Sequence, residues 1–346
     1  MEKKMVVGVI GLSMGRHHLK GLVDRGFDVA AICDINPEFL KREGDLYNIP
    51  EEKRFLDWKE LLKIEEMNSV LIITPDQLHR EMSIAFLEAG KHVMCEKPLA
   101  IVREDLDAIV SAAQKANTVF MVGQICRFTP AFVKAKELID AGTIGELYYM
   151  ESEYAHDYAK ILHAWRADPN RHGVVGGGCH AVDLLRWFGG DVKEVFAYGT
   201  HTLLPNAPYD DATVALMKWS DRLMGKVFVS TGCKRPYTMR TQLWGTKGTI
   251  LCDNTSDTMQ LWTLGEDGIA VKPEPEIIPV DINNHNVCHE FDVFADHVLN
   301  GTPVSMTAEE GAKTVATCMA IVDSAKLGKP VVPDYKFFLK NIDFFA

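Results

Sequence analysis

The sequence predicts an α/β protein of two parts: a doubly wound parallel sheet, then an α/β domain built on a largely antiparallel sheet with helices on one face. Three observations predict it. Val/Ile-rich runs alternate with amphipathic helical stretches over the first 124 residues. From about residue 125 strands follow one another with two-residue alternation and few helices between them. A chain of 346 residues also exceeds what a single core ordinarily organises. The expected domains are therefore residues 1–124 and 125–346.

The first domain reads in order as strand MVVGVIG, helix GRHHLKGLVDRG, strand FDVAAICD, a charged helical stretch and strand SVLIITP at 69–75. Helix HREMSIAFLEAG, strand KHVMCE, helix REDLDAIVSAAQKA and strand TVFMVGQ complete it. Near-continuous apolar strands of this kind are covered on both faces, which requires parallel pairing with helical crossovers. In the second domain, helix TPAFVKAKELIDAG precedes the alternating strand GELYYMESEYAHDY, a glycine-rich turn and helix HAVDLLRWF. Strands VKEVFAYGT, ATVALMKWS, RLMGKVFVSTG, RTQLWG and GTILCD follow, with helices near 287–299 and 307–326.

The formal charge of -11 is spread along the chain, so a phosphate backbone or an anionic membrane surface is a poor partner. No apolar run approaches the roughly 18 to 20 residues needed to span a bilayer. The opening MEKKMVVGVIGL imitates a secretory signal but lacks a small-residue cleavage site, and a buried first strand explains it better. Cysteines 33, 95, 126, 179, 233, 252, 288 and 318 form no CxxC pair, which fits reduced thiols in a cytoplasmic protein.

Gly8, Gly11 and Gly15 fall where the first strand must turn into the first helix, and backbone amides at such a helix start bind anions. The usual G-x-G-x-x-G is not met: Ser13 and Met14 stand in a loop one residue short. Asp34 closes the second strand 19 residues after Gly15, where a carboxylate accepts hydrogen bonds from an adenosine ribose. Its chemistry equally suits the start of the turn DINP. A carboxylate there repels a ribose phosphate, so NAD is expected ahead of NADP.

The stretch TPDQLHREMSIAFLEAGKHVMCEKPLA, with the N-terminal turn and the later GGGCHAVDLLRW, resembles the Gfo/Idh/MocA family of sugar and cyclitol dehydrogenases over residues 5–333. AGKHVMCEKPLA is the most specific part. The resemblance implies an N-terminal Rossmann domain, a C-terminal α/β domain with a mixed, open sheet, and a cleft between them for nicotinamide and a polyhydroxylated substrate. It implies that Gly11, Ser13, Met14, Gly15, Thr74, Pro75, His79, Glu96, Lys97 and Gln124 serve the cofactor, and that the Lys97-Pro98 bond is cis. It also gives Lys97 a task. Side chains alternate along a strand, so Glu96 and Lys97 point apart and need not neutralise each other, and open α/β sheets bind ligands at the carboxyl ends of their strands. A lysine there donates to a substrate hydroxyl and stabilises the developing alkoxide. The commoner fate of a lysine is a solvated strand end.

Family members often carry D-x-x-x-H after the glycine turn, the histidine accepting the proton and the aspartate assisting. Here His180 is kept, but the position four before it is Gly176. Asp183 shares a helical face with His180 at i+3 and is the alternative carboxylate, with a local cap or salt bridge as its other role. Upstream, Tyr154, His156, Trp165 and Arg166 are candidate substrate contacts in a long polar segment that also holds His163 and His172. None of these histidines, nor Cys179 or His285, has a metal-binding spacing, and hydride transfer to nicotinamide needs no metal, so none is expected.

The expected activity is NAD-dependent oxidation of a secondary hydroxyl of a sugar, sugar derivative or cyclitol. The alternatives are an NAD-recycling glycosidase or epimerase acting through transient oxidation, and a sugar-responsive sensor without turnover. An open sheet face left wet invites association, so a homodimer or homotetramer is expected.

Overall fold

The structure, a computed structural model, describes residues 4–283 and 285–337. Residues 1–3 and 338–346, the outer ends of the two expected domains, lie outside that description.

The chain begins with β1 (Val6–Ile10), α1 (Leu12–Asp24), β2 (Asp28–Cys33), α2 (Pro37–Leu46), β3 (Arg54–Phe55), β4 (Ser69–Ile72), α3 (His79–Glu88), β5 (His92–Glu96), α4 (Arg103–Lys115) and β6 (Phe120–Gly123). There follow α5 (Pro130–Asp140), β7 (Leu147–Ala155), α6 (Gly173–Gly176), α7 (Cys179–Gly189), β8 (Glu194–Thr200), β9 (Ala212–Lys218), β10 (Met224–Ser230), β11 (Arg240–Gly245), β12 (Gly248–Asp253), β13 (Thr258–Thr263) and β14 (Glu276–Pro279). Helices α8 (Val287–Asn300) and α9 (Ala308–Leu327) come last.

In the first unit all strands pair in parallel, in the order β3-β2-β1-β4-β5-β6. Val7, Val9, Val70, Leu71, Val93 and Met121 are wholly buried, as strands covered on both faces must be. The order reverses between β1 and β4, and the carboxyl edge at such a switch point is where open α/β sheets take ligands. At the start of α2 the DINP turn is capped twice: the Asn36 side chain accepts from Glu38 N at 2.9 Å, and Pro37 occupies the first turn, where no donor is missed.

The chain first passes from one unit to the other between Gln124 and Ile125, and later segments return to the first unit. Val287–Ala312 and the described residues Lys336 and Phe337 cluster with residues up to Gln124, while Ile125–Asn286 and Lys313–Tyr335 form the second unit. The reason is the apolar face of α8. Phe291 and Phe294 are buried, Phe27 meets Phe291 edge to face at 4.8 Å, and Arg25 Nη2 donates to Asp292 at 2.8 Å. The edge of β6 is closed by Met306, whose carbonyl accepts from Val122 N at 2.8 Å.

The second unit holds an eight-stranded sheet in the order β14-β13-β12-β11-β7-β10-β9-β8. Only β10 and β7 pair in parallel, so the sheet is mixed and mostly antiparallel. Along β7 the even residues Met150, Ser152 and Tyr154 are buried, whereas Tyr149, Glu151 and Glu153 on the other face are only partly covered. That second face carries exposed apolar side chains, among them Tyr198, Val214, Leu216, Met224 and Phe228.

Candidate active site

In the first unit, the turn from β1 to α1 depends on Gly11. Its φ of 89° lies in the left-handed region, and a Cβ there would collide with the Ile73 carbonyl. No side chain of Gly11 caps α1; instead Asp34 reaches across, its Oδ2 accepting from Leu12 N at 2.6 Å and its Oδ1 from Asn36 N at 2.8 Å. Asp34 thus begins the DINP turn and also lies against the helix start, and being only half-buried it keeps acceptor capacity for a ribose hydroxyl. Ser13 and Met14 are exposed in the first turn of α1, while Gly15 is buried.

The Lys97-Pro98 bond is cis, as the resemblance implied. Glu96 ends β5, and its Oε2 accepts from Lys97 N at 3.1 Å. His79 is wholly buried, with Nδ1 3.0 Å from the Pro98 carbonyl and Nε2 3.1 Å from the Thr74 carbonyl. Two carbonyl acceptors ask for a proton on each nitrogen. Burial opposes the charge but is outweighed, first by Cys95, and the pKa is pushed up to about 10. His79 therefore ties the Thr74–Pro75 turn to the Lys97–Pro98 turn. At the end of β6 the buried Gln124 Oε1 has no hydrogen-bond partner among the described residues.

Beneath Glu96 lies a group the sequence reading missed. His18 Nε2 stands 3.5 Å from Glu96 Oε1 and 3.6 Å from Glu290 Oε2, with His18 3% and Glu290 0% exposed. Burial pushes the Glu290 carboxyl up to about 7. Burial also opposes charge on His18, but Glu290 and Glu96 outweigh it and its pKa is raised. The three ligand atoms lie within 4.8 Å of one another, close enough to hold a metal ion, and His18 Nε2 and both Glu290 oxygens have no hydrogen-bond partner among the described residues.

In the second unit, His180 sits in the first turn of α7, and its Nδ1 is 3.2 Å from Cys126 Sγ. The glycine run allows close passage there: a Cβ on Gly177 would lie 2.6 Å from the Tyr154 ring. Tyr154 stacks near His180 with centroids 6.0 Å apart, and its hydroxyl bonds His156 Nδ1 at 3.0 Å and the Tyr158 hydroxyl at 2.9 Å. Burial first, then neighbouring Tyr158, holds the Tyr154 phenol far above its ordinary range, so it acts as a neutral hydroxyl. Tyr237 and His285 add rings at 5.4 Å from Tyr154 and 5.9 Å from His180. The Arg166 and Arg171 guanidinium groups lie over the Trp165 ring, 4.1 and 4.7 Å from its centroid.

Family models match both parts of the chain. One, described as an oxidoreductase family with an NAD-binding Rossmann fold, covers residues 5–124; the other, the GFO/IDH/MocA C-terminal domain, covers 132–251. The chain belongs to the Gfo/Idh/MocA family. It is accordingly an NAD-binding oxidoreductase. Among curated relatives, myo-inositol 2-dehydrogenase of Thermotoga maritima is 28% identical over 89% of this chain and 92% of its own. The NAD-dependent scyllo-inositol 2-dehydrogenase of Bacillus subtilis is 27% identical over 97% and 98%. The solved structure of levoglucosan dehydrogenase in complex with NADH superposes with a TM-score of 0.83 at 23% identity, over 96% of this chain and 100% of that one, and shows a shared fold.

For a Gfo/Idh/MocA protein, the first unit fits NAD on its own geometry: a glycine turn with no room for a side chain, a carboxylate at the end of β2, and an orphaned amide oxygen at the end of β6. Asp183 is engaged by neighbouring side chains. It is 1% exposed, accepts from Arg127 Nε and Nη2 at 2.8 Å each, and takes a third bond from Thr314 Oγ1 at 2.9 Å. The salt bridge it makes is not the local one weighed from the sequence, since the partner lies 56 residues away. The sequence reading also missed Cys126, Arg127 and Thr314. A signal existed for some: Arg127 stands in the apolar run VGQICRF, and His18 and Glu290 fall on the apolar stripes of their helices, where a polar group needs a partner.

Proposed function

We propose that this chain moves a hydride between NAD and a secondary hydroxyl of a sugar, sugar derivative or cyclitol. The observation that carries the reading is the place of Lys97, next after Glu96 at the carboxyl end of β5, the same edge of the sheet to which the Gly11 turn and Gln124 belong. NAD, when bound, supplies the hydride acceptor. Lys97 donates to the reacting hydroxyl and stabilises negative charge on its oxygen as the C–H bond breaks. His180 takes the hydroxyl proton. Tyr154, His156, Trp165 and Arg166 are the proposed ring contacts, aromatic faces with donors at their rims. Relatives named for inositol and levoglucosan support this substrate class. The Asp34 carboxylate at the ribose position supports NAD over NADP.

Gly176, in the place of the family aspartate, favours a second reading in which oxidation is transient and the cofactor is recycled during glycoside cleavage or epimerisation. The exposed apolar face of β8, β9 and β10 supports a homo-oligomer built through that sheet, and the free thiols of all eight cysteines support a reducing compartment such as the cytoplasm. No helix among the described residues is long and apolar enough to cross a membrane.

Sugars, aminosugars, glycosides and inositols offered with NAD or NADP, followed at 340 nm, test the proposal. NADH formed from at least one polyhydroxylated ring supports it. Product without net NADH selects the redox-neutral reading. Bound NAD with no conversion of any ring would mean a sensor and end the enzymatic reading.

A further inference from the structure

Three distant parts of the chain bring one ligand atom each to the end of β5. His18 comes from the buried stripe of α1, beside Leu19 and Leu22; Glu96 is the last residue of β5; Glu290 lies on the apolar face of α8, next to Phe291. All three belong to the first unit. Hydrogen bonding does not account for the cluster. An imidazolium donating to a carboxylate closes to about 2.7–2.9 Å, whereas His18 Nε2 stands 3.5 Å from Glu96 Oε1 and 3.6 Å from Glu290 Oε2. Nε2 and both Glu290 oxygens are left without a partner among the described residues, in a place closed to water.

We propose that His18 Nε2, Glu96 Oε1 and Glu290 Oε2 are the ligands of a structural zinc ion, with Glu290 Oε1 or a water in the fourth position. The spacing selects the ion. Two ligands held tetrahedrally at roughly 2.0–2.2 Å from zinc lie about 3.3–3.6 Å apart, which is the spacing of Nε2 from each carboxylate oxygen. Octahedral magnesium would draw neighbouring ligands to about 2.9 Å, and calcium asks for roughly six to eight oxygens, which an imidazole and two carboxylates do not supply. Charge agrees with geometry. Two carboxylates and a neutral imidazole present two negative charges in a buried place, and a divalent cation cancels them. Without the ion the cluster keeps a proton instead, as the raised Glu290 shows, and Lys97 is the remaining charge that acts on that carboxyl. The ion would clamp α8, which returns to this unit from far along the chain, against α1 and the end of β5. It would also fix Glu96 from both sides, Oε1 on the metal and Oε2 accepting from Lys97 N at 3.1 Å.

The test takes the full chain, strips it with a chelator and reloads it with zinc alone or cobalt alone, followed by metal content after dialysis, melting temperature and the visible spectrum. The wild type should retain about one zinc ion per chain and melt several degrees higher with zinc than with chelator. Cobalt should give the strong visible bands of a tetrahedral site, without the near-ultraviolet band of a metal-bound thiolate that any of the eight cysteines would add. His18→Gln and Glu290→Gln should each weaken zinc by about 100-fold or more, since losing even an outer partner of a ligand costs roughly 10- to 100-fold. Both should also lose the zinc-dependent rise in melting temperature. If a variant does not fold, the metal content and cobalt spectrum of the wild type decide. A wild type that retains no zinc, a thiolate band with cobalt, or zinc affinity within a few-fold of wild type in either folded variant overturns the proposal. None of these readouts involves turnover, so the zinc site and the hydride-transfer reading fail separately.

Discussion

The two units build their candidate sites in opposite ways. In the first, the chemistry is carried by the ends of strands and the start of a helix: Gly11 after β1, Asp34 after β2, Thr74 after β4, Glu96 and Lys97 at the end of β5, Gln124 after β6. Parallel strands with regular crossovers bring these positions to one edge because every strand points the same way. In the second, His180 is surrounded by side chains from separate stretches: Cys126 before α5, Tyr154 on β7, Tyr237 and Met239 before β11, and His285 before α8. Topology delivers the first site, whereas long-range packing delivers the second. The second should therefore be the more fragile to single substitutions.

The largest expected effect falls on the pair that fixes α7. Asp183→Ala leaves the Arg127 guanidinium buried without its bidentate partner and should cost roughly 3–5 kcal/mol in denaturant unfolding. In the first unit, Arg80 pairs with Asp105 at 3.0 Å but is well exposed, and Arg80→Ala should cost less than about 1 kcal/mol. Equal losses would break the contrast.

Buried titrating groups sharpen it, because they act with opposite sign. Glu290 in the first unit is held at about 7 against an ordinary 4.5, so the folded state keeps a proton that the unfolded state has lost. The stability this brings is complete below about pH 4.5 and is lost as pH rises through 7; the raised His18 acts in the same direction. In the second unit burial, then Lys326, lowers His172 to about 4, and its Nδ1 accepts from Val174 N at 3.2 Å, which requires a neutral ring. Stability from this group is complete above 6.5 and is lost as pH falls toward 4, because the unfolded chain binds the proton first. Melting curves across pH should show Glu290→Gln flattening the decline between about pH 4.5 and 7, and His172→Asn, which keeps an acceptor for Val174, flattening the loss as pH falls from 6.5 toward 4, each by on the order of 1–3 kcal/mol. A Glu290→Gln variant with an unchanged slope between pH 4.5 and 7 would contradict the assignment.

A smaller effect concerns cofactor choice. Asp34→Ala removes the carboxylate proposed to face the ribose, and the preference for NAD over NADP, read as a ratio of kcat/KM, should fall by about 10-fold or more. An unaltered ratio would mean that Asp34 serves only its turn.

How much was legible in the sequence follows the same division. The alternation of apolar runs and amphipathic stretches foretold the first sheet, and the AGKHVMCEKPLA stretch foretold the cis bond and the place of Lys97. The mixed sheet of the second unit was also foreseen, from strands that follow one another directly. What stayed hidden depends on distance along the chain. Periodicity places Asp183 on the face of His180 but cannot say that Arg127 already holds it. It marks α8 as amphipathic but does not reveal that its apolar face returns to Phe27, carrying Glu290 beneath Glu96. His79 was placed beside the cofactor, and its burial against two carbonyls, which makes it a brace between turns, did not show in the sequence. Gly176 was seen as a loss, and only the coordinates show the guanidinium in its place.

The account stands most directly on Lys97, and NAD titration beside hydride transfer at 340 nm, in wild type and Lys97→Met with the best ring substrate found, tests it. The prediction is NAD binding within a few-fold of wild type and turnover lower by about 10³-fold or more, since the residue acts on the reacting oxygen and not on the nucleotide. Turnover within a few-fold of wild type would contradict the central claim.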